Sequence, residues 1–242
     1  MKEDKHMITD QQAAAAIAST RKISMAAGVL YLLTFVSIPT LALYGSIHDP
    51  NYMVGLGPDT PVIVGCILEI IVALAGIGTA VALFPVLKKQ NEGVALGFVG
   101  SRVLEGATIF VGVVSLLSVV TLRQSGAGAS ALITGQALVA VYDRTFLVGQ
   151  SLMPAVNALL LGSLLYRSRL VPRVLPLLGL IGAPLLIAAQ TAVMFSLIGR
   201  LSPLTAIGAL PIALWEFSLG VWLTFKGFNS SAITRLHDKT TG

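Results

Sequence analysis

Six apolar stretches, each long enough to cross a bilayer, hold only four ionisable side chains in their interiors: Glu69, Arg102, Glu105 and Glu216. The stretches run at about Ile23–Tyr44, Pro61–Leu87, Gly93–Leu122, Thr145–Tyr166, Val174–Ile198 and Leu204–Phe225. A spanning helix needs about 20 mostly apolar residues. Only helices and closed barrels satisfy the backbone in lipid. These runs are continuous rather than alternating, so helices are favoured over a barrel. The chain is 55% hydrophobic and only 11% charged, against about 25% charged in soluble domains. A soluble domain of this length could not hide so much apolar surface. The expected fold is therefore all-α: a polytopic membrane protein built as a bundle of six transmembrane helices. The third stretch, about 30 residues, must tilt or leave the membrane at one end.

The arrangement of basic residues sets the expected orientation. The arm before Ile23, the 88–92 loop, the 167–173 loop and the tail after Phe225 hold twelve Lys and Arg; the opposite segments hold only Arg123, Arg144 and Arg200. This positive-inside bias puts both termini in the cytoplasm, with anionic lipid at the inner surface as the natural partner of the basic end. The net charge of +5 is thereby explained without nucleic acid. The expected organisation is a cytoplasmic N-terminal arm over 1–22, a six-helix transmembrane domain over 23–228 and a polar, mobile cytoplasmic tail over 229–242. Thr9 followed by Gln12 resembles a capping box, so a helix is expected to start near Asp10 and merge into the first span. The first apolar core is too long, and its polar arm too extended, for a signal peptide.

Two outer loops differ in character. Gly45–Thr60 is turn-rich, with Asp49-Pro50, Gly55, Gly57 and Pro58. Gln124–Arg144 is rich in Gly, Ala and Ser and then apolar around Ala137–Val141, which reads as a short helix lying at the outer interface. Asp143 and Arg144 read as caps of the fourth span. Gly93 and Gly97 form a GxxxG that reads as close helix packing.

A charge in hydrocarbon is expensive and usually serves a purpose, so the four buried charges are the candidate site. Glu69 lies roughly 12 Å below the outer end of its span, and Arg102 roughly 14 Å above the inner end of its own. Glu105 follows Arg102 by three residues on the same helix face, and Glu216 lies near the middle of the sixth span. All four could meet at one depth. One arginine, which stays protonated, would then face three carboxylates. A net charge of −2 is costly in low dielectric, so either some glutamates hold protons or a cation or cationic ligand completes the site. The opposing reading is an ion-pair network that only fixes helix register. Asn157 on the fourth span and Trp215 beside Glu216 are added as candidate ligand contacts; Gln150 and Ser151 read as weaker ones. Pro39, Pro154, Pro184 and Pro211 can each kink a span.

Several chemistries are excluded. The single Cys66 rules out an internal disulfide or a Cys-rich metal site, and His6, His48 and His237 are far apart. There is no HExxH, P-loop or GxSxG. Gly55-Leu56-Gly57-Pro58-Asp59 has the look of an intramembrane aspartyl-protease motif, but it is interrupted by proline and lies in a loop. No cofactor is expected, and an enzyme is the least favoured class because no nucleophile accompanies the carboxylates.

The order of features resembles a bacterial membrane family catalogued as domain of unknown function 4386. The resemblance runs from about Arg21 to Phe228. It is carried by Gly28-Val29-Leu30-Tyr31, Glu69, Leu83-Phe84-Pro85-Val86-Leu87-Lys88, Arg102 with Glu105, Tyr166-Arg167-Ser168-Arg169, Leu178-Gly179-Leu180-Ile181-Gly182, Pro211, Trp215-Glu216 and Lys226-Gly227-Phe228. It implies a six-helix protein of the bacterial plasma membrane and transfers no catalytic residue. The leading functional expectation is an integral membrane protein that binds or transports a cation, a proton or a small amphipathic ligand at Glu69, Arg102, Glu105 and Glu216. The alternative is a structural or accessory protein.

Overall fold

The computed structural model describes the backbone of residues 2–241 and the side chains of residues 18–236. Among these residues there is no strand. In chain order the helices are α1 (Lys2–Leu33), α2 (Thr40–Leu43), α3 (Thr60–Leu87), α4 (Glu92–Gln124), α5 (Leu132–Phe146), α6 (Met153–Ser168), α7 (Val174–Met194), α8 (Pro203–Phe225) and α9 (Ser230–Thr241). Six helical segments are long and apolar enough to cross a membrane. Leu74, Val81, Leu96, Val114, Ile181 and Phe217 project from them with 51–61% of their surface exposed. So broad an apolar exterior suits lipid rather than water, and the chain is a multi-pass membrane protein. The end of the bundle carrying Arg21, Lys88, Arg169, Arg173 and Lys226 is called here the basic end, and the opposite one the far end.

Helix α1 begins at Lys2 rather than near Asp10. The Ala13–Ala16 stretch has the strongest helix propensity available, which lets the helix run unbroken into the first span; the side chains of Thr9 and Gln12, like those of His6 and His237, lie outside the described residues. The tail is not a free polar segment. It forms α9, because Ala232, Ile233 and Leu236 make one apolar face and are buried against the basic end. Arg21 and Ser24 of α1 cap the C-terminus of α8. The Arg21 guanidinium donates to the carbonyls of Leu223 at 3.1 Å and Thr224 at 2.9 Å, and the Ser24 hydroxyl to Leu223 at 2.8 Å. A cation at a helix C-terminus meets both the orphan carbonyls and the dipole. Helices α1 and α8 approach so closely that a Cβ on Gly28 would sit 2.5 Å from the Thr224 nitrogen.

Two spans are interrupted, and each break has a proline. In the first, the α-helix gives way at Leu33 to a 3₁₀ turn over Thr34–Ser37, then Pro39 and the short α2. Pro39 has no N–H to continue the ladder. The hydroxyls of Thr34, Ser37 and Thr40 bond the carbonyls of Tyr31, Thr34 and Ser37 at 2.7, 3.3 and 2.7 Å. In the second, α5 passes into α6 through a π turn over Leu147–Leu152. Pro154 explains it: the carbonyl of Gln150 loses its i+4 donor and would clash with the ring, so the chain widens by one residue. Pro184 and Pro211, by contrast, sit inside uninterrupted helices.

The segment expected as a loop with a short interfacial helix is instead the upper half of a 41-residue helical run, Gly128–Ser168. Helix α5 packs along α4 rather than lying in the membrane plane. The reason is length. Helix α4, at 33 residues, is roughly 50 Å long against a hydrocarbon layer of about 30 Å, and α5 covers its surplus. The helix continues through Asp143 and Arg144, so no helix start is there to cap. The 45–59 loop closes over this far end through Arg123, which binds the Asp59 carboxylate and the carbonyls of Gly55 and Gly57 and lies 4.5 Å over the Tyr52 ring. Gly97 of the GxxxG meets Leu160 only at ordinary contact distance, with 3.7 Å to a built Cβ, so no close backbone crossing uses it.

The core divides in two. One apolar cluster fills the basic half around Tyr31, Leu83, Phe98, Leu161, Trp215 and Leu219. The other fills the far half around Tyr44, Val62, Cys66, Val113, Leu116 and Tyr142. The intramembrane charges lie between them.

Candidate functional site

Arg102 on α4 is the centre of the polar layer, with 4% of its surface exposed. Its Nη1 donates to Glu105 Oε2 at 2.9 Å and its Nη2 to Glu216 Oε1 at 3.1 Å. Glu105 Oε2 also accepts from Asn157 Nδ2 at 2.7 Å, and Asn157 Oδ1 accepts from the Ser101 hydroxyl at 2.6 Å. The guanidinium carbon lies 5.2 Å from the Tyr31 ring centre and 5.8 Å from that of Phe98, close enough for cation–π attraction. One network thus ties α4 to α6 and α8, with α1 supplying the aromatic floor. The i, i+3 spacing of Arg102 and Glu105 builds the first pair within a helix. The second comes from the meeting of α4 and α8 at equal depth.

Of the six residues singled out from sequence, Arg102, Glu105, Glu216 and Asn157 come together. Trp215 does not face the cavity described below. It is fully buried behind Glu216, edge-on to Tyr31 with ring centres 6.5 Å apart, and fills the space left by Gly179, where a Cβ would fall 2.6 Å from the indole. Glu69 stands apart from the arginine. Its Oε1 accepts from the Tyr142 hydroxyl at 2.9 Å and from Gln150 Nε2 at 3.1 Å, while its Oε2 is buried with no partner. No cation pairs with it among the described residues. Four-charge convergence is therefore replaced by a three-charge cluster plus a separate carboxylate, whose partner Gln150 lines the same cavity as the cluster.

Gln150 matters because it also lines open space. A cavity of about 390 Å³ is bounded by Glu216, Gln150, Ser151 and Arg200, with apolar walls that include Phe35 and Leu186. A smaller one of about 200 Å³ brings Arg102, Glu105 and Glu216 opposite Thr34 and Ser37 of the broken first span. The break therefore sits where irregular backbone is tolerated at membrane depth, along a cavity. A third, of about 440 Å³, lies at the far end and is lined by Tyr44, His48, Tyr142, Asp143 and Arg200. Neighbouring cavities share walls: Gln150 and Glu216 join the first two, Leu41 and Arg200 the first and third.

Arg200 stands at that junction. Its guanidinium pairs with Asp143 at 2.5 Å and lies 4.1 Å over the Phe146 ring. Asp143 also meets His48 Nε2 at 3.1 Å, and His48 Nδ1 contacts the Tyr44 carbonyl oxygen at 2.8 Å. The Asp143 contact, assisted by the Tyr44 carbonyl and opposed by partial burial, raises the His48 pKa above its ordinary value. Nearby, burial opposes ionisation of Asp59, but hydrogen bonds from Tyr52, Gln124 and Arg123 outweigh it and hold its pKa below the ordinary value. Sequence reasoning had no means to join His48, the adjacent Tyr142 and Asp143, and Arg200, which come from three separate segments. The only trace was an acidic residue among the few basic ones of the far end.

Chemically, the cluster is one guanidinium and two carboxylates, a formal charge of −1 facing a cavity with mainly apolar walls. Glu216 uses one oxygen on Arg102 and retains 14% side-chain exposure toward the open space. Among the described residues no group of three His, Cys, Asp or Glu could hold a metal ion.

Neither the curated proteins nor the solved structures contain a match to this chain. The family described as a domain of unknown function (DUF4386) matches residues 26–227, a stretch that includes α3 to α8, the breaks of both interrupted spans and every member of the charged cluster. The chain belongs to that family.

Proposed function

We propose that the protein binds, and carries across a bacterial plasma membrane, a small amphipathic ligand with a cationic head, with both its termini in the cytoplasm. The orientation rests on the twelve basic residues at one end against three at the other. The observation that carries the function is Glu216: a carboxylate at mid-span, half engaged by Arg102, bordering both the 390 Å³ cavity and the 200 Å³ cavity beside Arg102. A purely structural ion pair has no need of open space beside it. The cationic head would meet the surplus negative charge at Glu216, and its apolar body the wall formed by Phe35, Leu186 and Ile212.

Ethidium, an amphipathic cation of suitable size whose fluorescence rises in apolar surroundings, is the probe of choice. Binding to the purified protein should be saturable. Glu216→Gln should weaken it at least tenfold while expression and thermal stability hold. Ala213→Trp, which fills the cavity wall, should abolish it. Equal binding by all three proteins, or none by the unaltered one at millimolar ethidium, refutes the proposal. The second reading, a cluster that only joins helices, is supported by the two donors, Arg102 and Asn157, that converge on Glu105 Oε2, and it predicts that last outcome.

A further inference from the structure

At the basic end, away from the charged cluster, a cavity of about 630 Å³ opens between the ends of four helices. Arg169, Arg173 and Lys226 line it together with Trp222, Asn229 and Ser230. No carboxylate lines it, and none pairs with these three cations among the described residues. Three like charges brought together without a counter-ion repel one another, yet the frame around them is firmly built. Arg169 takes the left-handed conformation that ends α6, with φ of 57°. The Asn229 N–H donates to the Leu170 carbonyl at 2.8 Å, and Trp222 Nε1 to the Gly227 carbonyl at 3.0 Å. The first bond ties the α8–α9 turn to the α6–α7 turn, and the second braces the α8–α9 turn itself. The N-terminal ends of α7 and α9 both border the cavity, through Arg173 and through Asn229 and Ser230, so two helix dipoles add positive potential to the three side chains.

The level in the membrane identifies the class of anion. The cavity lies where α6 and α8 end and α7 begins, at the boundary of three apolar spans. That is headgroup depth, and Trp222 is the side chain expected there. A basic pocket between helix ends at this level has the form of a phospholipid headgroup site.

We infer that Arg169, Arg173 and Lys226 form a binding site for the phosphate of an anionic phospholipid headgroup, whose acyl chains run down the apolar surface of the adjoining spans. The shared chemistry is a phosphate oxygen cluster on two guanidiniums and an ammonium. The inference stands independently of any ligand at Glu216.

The test uses the full chain purified in detergent and re-supplied with phosphatidylglycerol, cardiolipin or phosphatidylcholine, read by native mass spectrometry for retained lipid and by thermal shift. Anionic lipid should stay bound and raise the unfolding temperature, and phosphatidylcholine should do neither. The variant Arg169→Gln/Arg173→Gln/Lys226→Gln should lose roughly tenfold or more in apparent affinity, by the contribution of each basic residue near a charged lipid surface. The variant Lys88→Gln/Lys89→Gln/Arg167→Gln removes the same charge from the same end and should keep the affinity. Should the triple variant fail to fold, the pair Arg169→Gln/Lys226→Gln carries the same expectation with a smaller loss. Equal loss in both triple variants would mean diffuse surface charge and would overturn the site, as would full retention in the first. Protection by millimolar inorganic phosphate that matches the lipid's, and that depends on the same three residues, would assign the pocket to a soluble phosphate and overturn the lipid assignment.

Discussion

Replacing Arg102 by methionine keeps the volume of the side-chain stem and removes the charge. It breaks two ion pairs, to Glu105 at 2.9 Å and Glu216 at 3.1 Å, and two cation–π contacts, to Tyr31 and Phe98. Breaking a buried pair by removing one partner costs about 3–5 kcal/mol, mostly because the remaining charge is stranded. Glu105 retains Asn157 as a donor at 2.7 Å, which offsets part of the cost, while Glu216 retains none; about 3–4 kcal/mol is therefore expected. For a chain of this size each kcal/mol moves the midpoint by roughly 2–4 °C, so Arg102→Met should unfold roughly 6–16 °C below the unaltered protein. The decisive comparison is the triple variant Arg102→Met/Glu105→Gln/Glu216→Gln. It has no charge left to strand and should recover most of the loss, since neutral replacement of a whole buried network is often harmless. Thermal unfolding in detergent, followed by tryptophan fluorescence, reads both. A single variant within about 1 kcal/mol of the unaltered protein, or a triple variant no better than the single one, would show that the buried charges are solvated by water rather than by one another.

Other outcomes follow from the same geometry. His48 has a folded-state pKa raised above its ordinary value. Its pairing with Asp143 should therefore support stability fully below about pH 6.5 and lose that support as pH rises through the raised value. The effect should be small because both partners are about a third exposed, and a pH series of melting temperatures should lose this slope in His48→Gln. Cys66, with 1% exposure among Tyr44 and Val62, should resist a membrane-impermeant maleimide in intact cells; Ala213→Cys in a Cys66→Ala background, placed on the cavity wall, should react, and the reverse pattern would contradict the cavity. Tyr142→Phe removes one of the two donors to Glu69 and should cost about 1–3 kcal/mol in the same melting assay, with no loss if the hydroxyl bond is absent.

The number of spans was legible from sequence because it depends only on apolar length, which lipid enforces without reference to neighbours. Depth was legible too, since 1.5 Å per residue is fixed, and so Arg102, Glu105 and Glu216 could be placed at one level. Facing was not. A span that is apolar all round has almost no moment to show which side carries Glu69, so nothing distinguished a turn toward Arg102 from a turn toward Tyr142. The prolines illustrate the same limit. All four sit in apolar runs, yet only Pro39 and Pro154 coincide with breaks, because there neighbouring hydroxyls and an added residue re-satisfy the backbone. A helix around Ala137–Val141 was legible, but the Gly, Ala and Ser content before it hid its full extent, and what packs it into the bundle is the overlong α4 beside it.

The division of the core into two apolar clusters, with the cavities lined by Arg200 on the far side of the charged layer, has an electrical consequence. Where water fills those cavities, it carries the potential of the far-side solution down to Glu216, and the membrane voltage then drops mainly across the dry cluster around Tyr31, Leu83 and Phe98. A full elementary charge crossing that remaining layer exchanges about 2.3 kcal/mol per 100 mV with the field. For the transport proposed above, arrival of a cation at Glu216 from the far end would then be nearly free of voltage, and its departure toward the basic end would carry almost all of it.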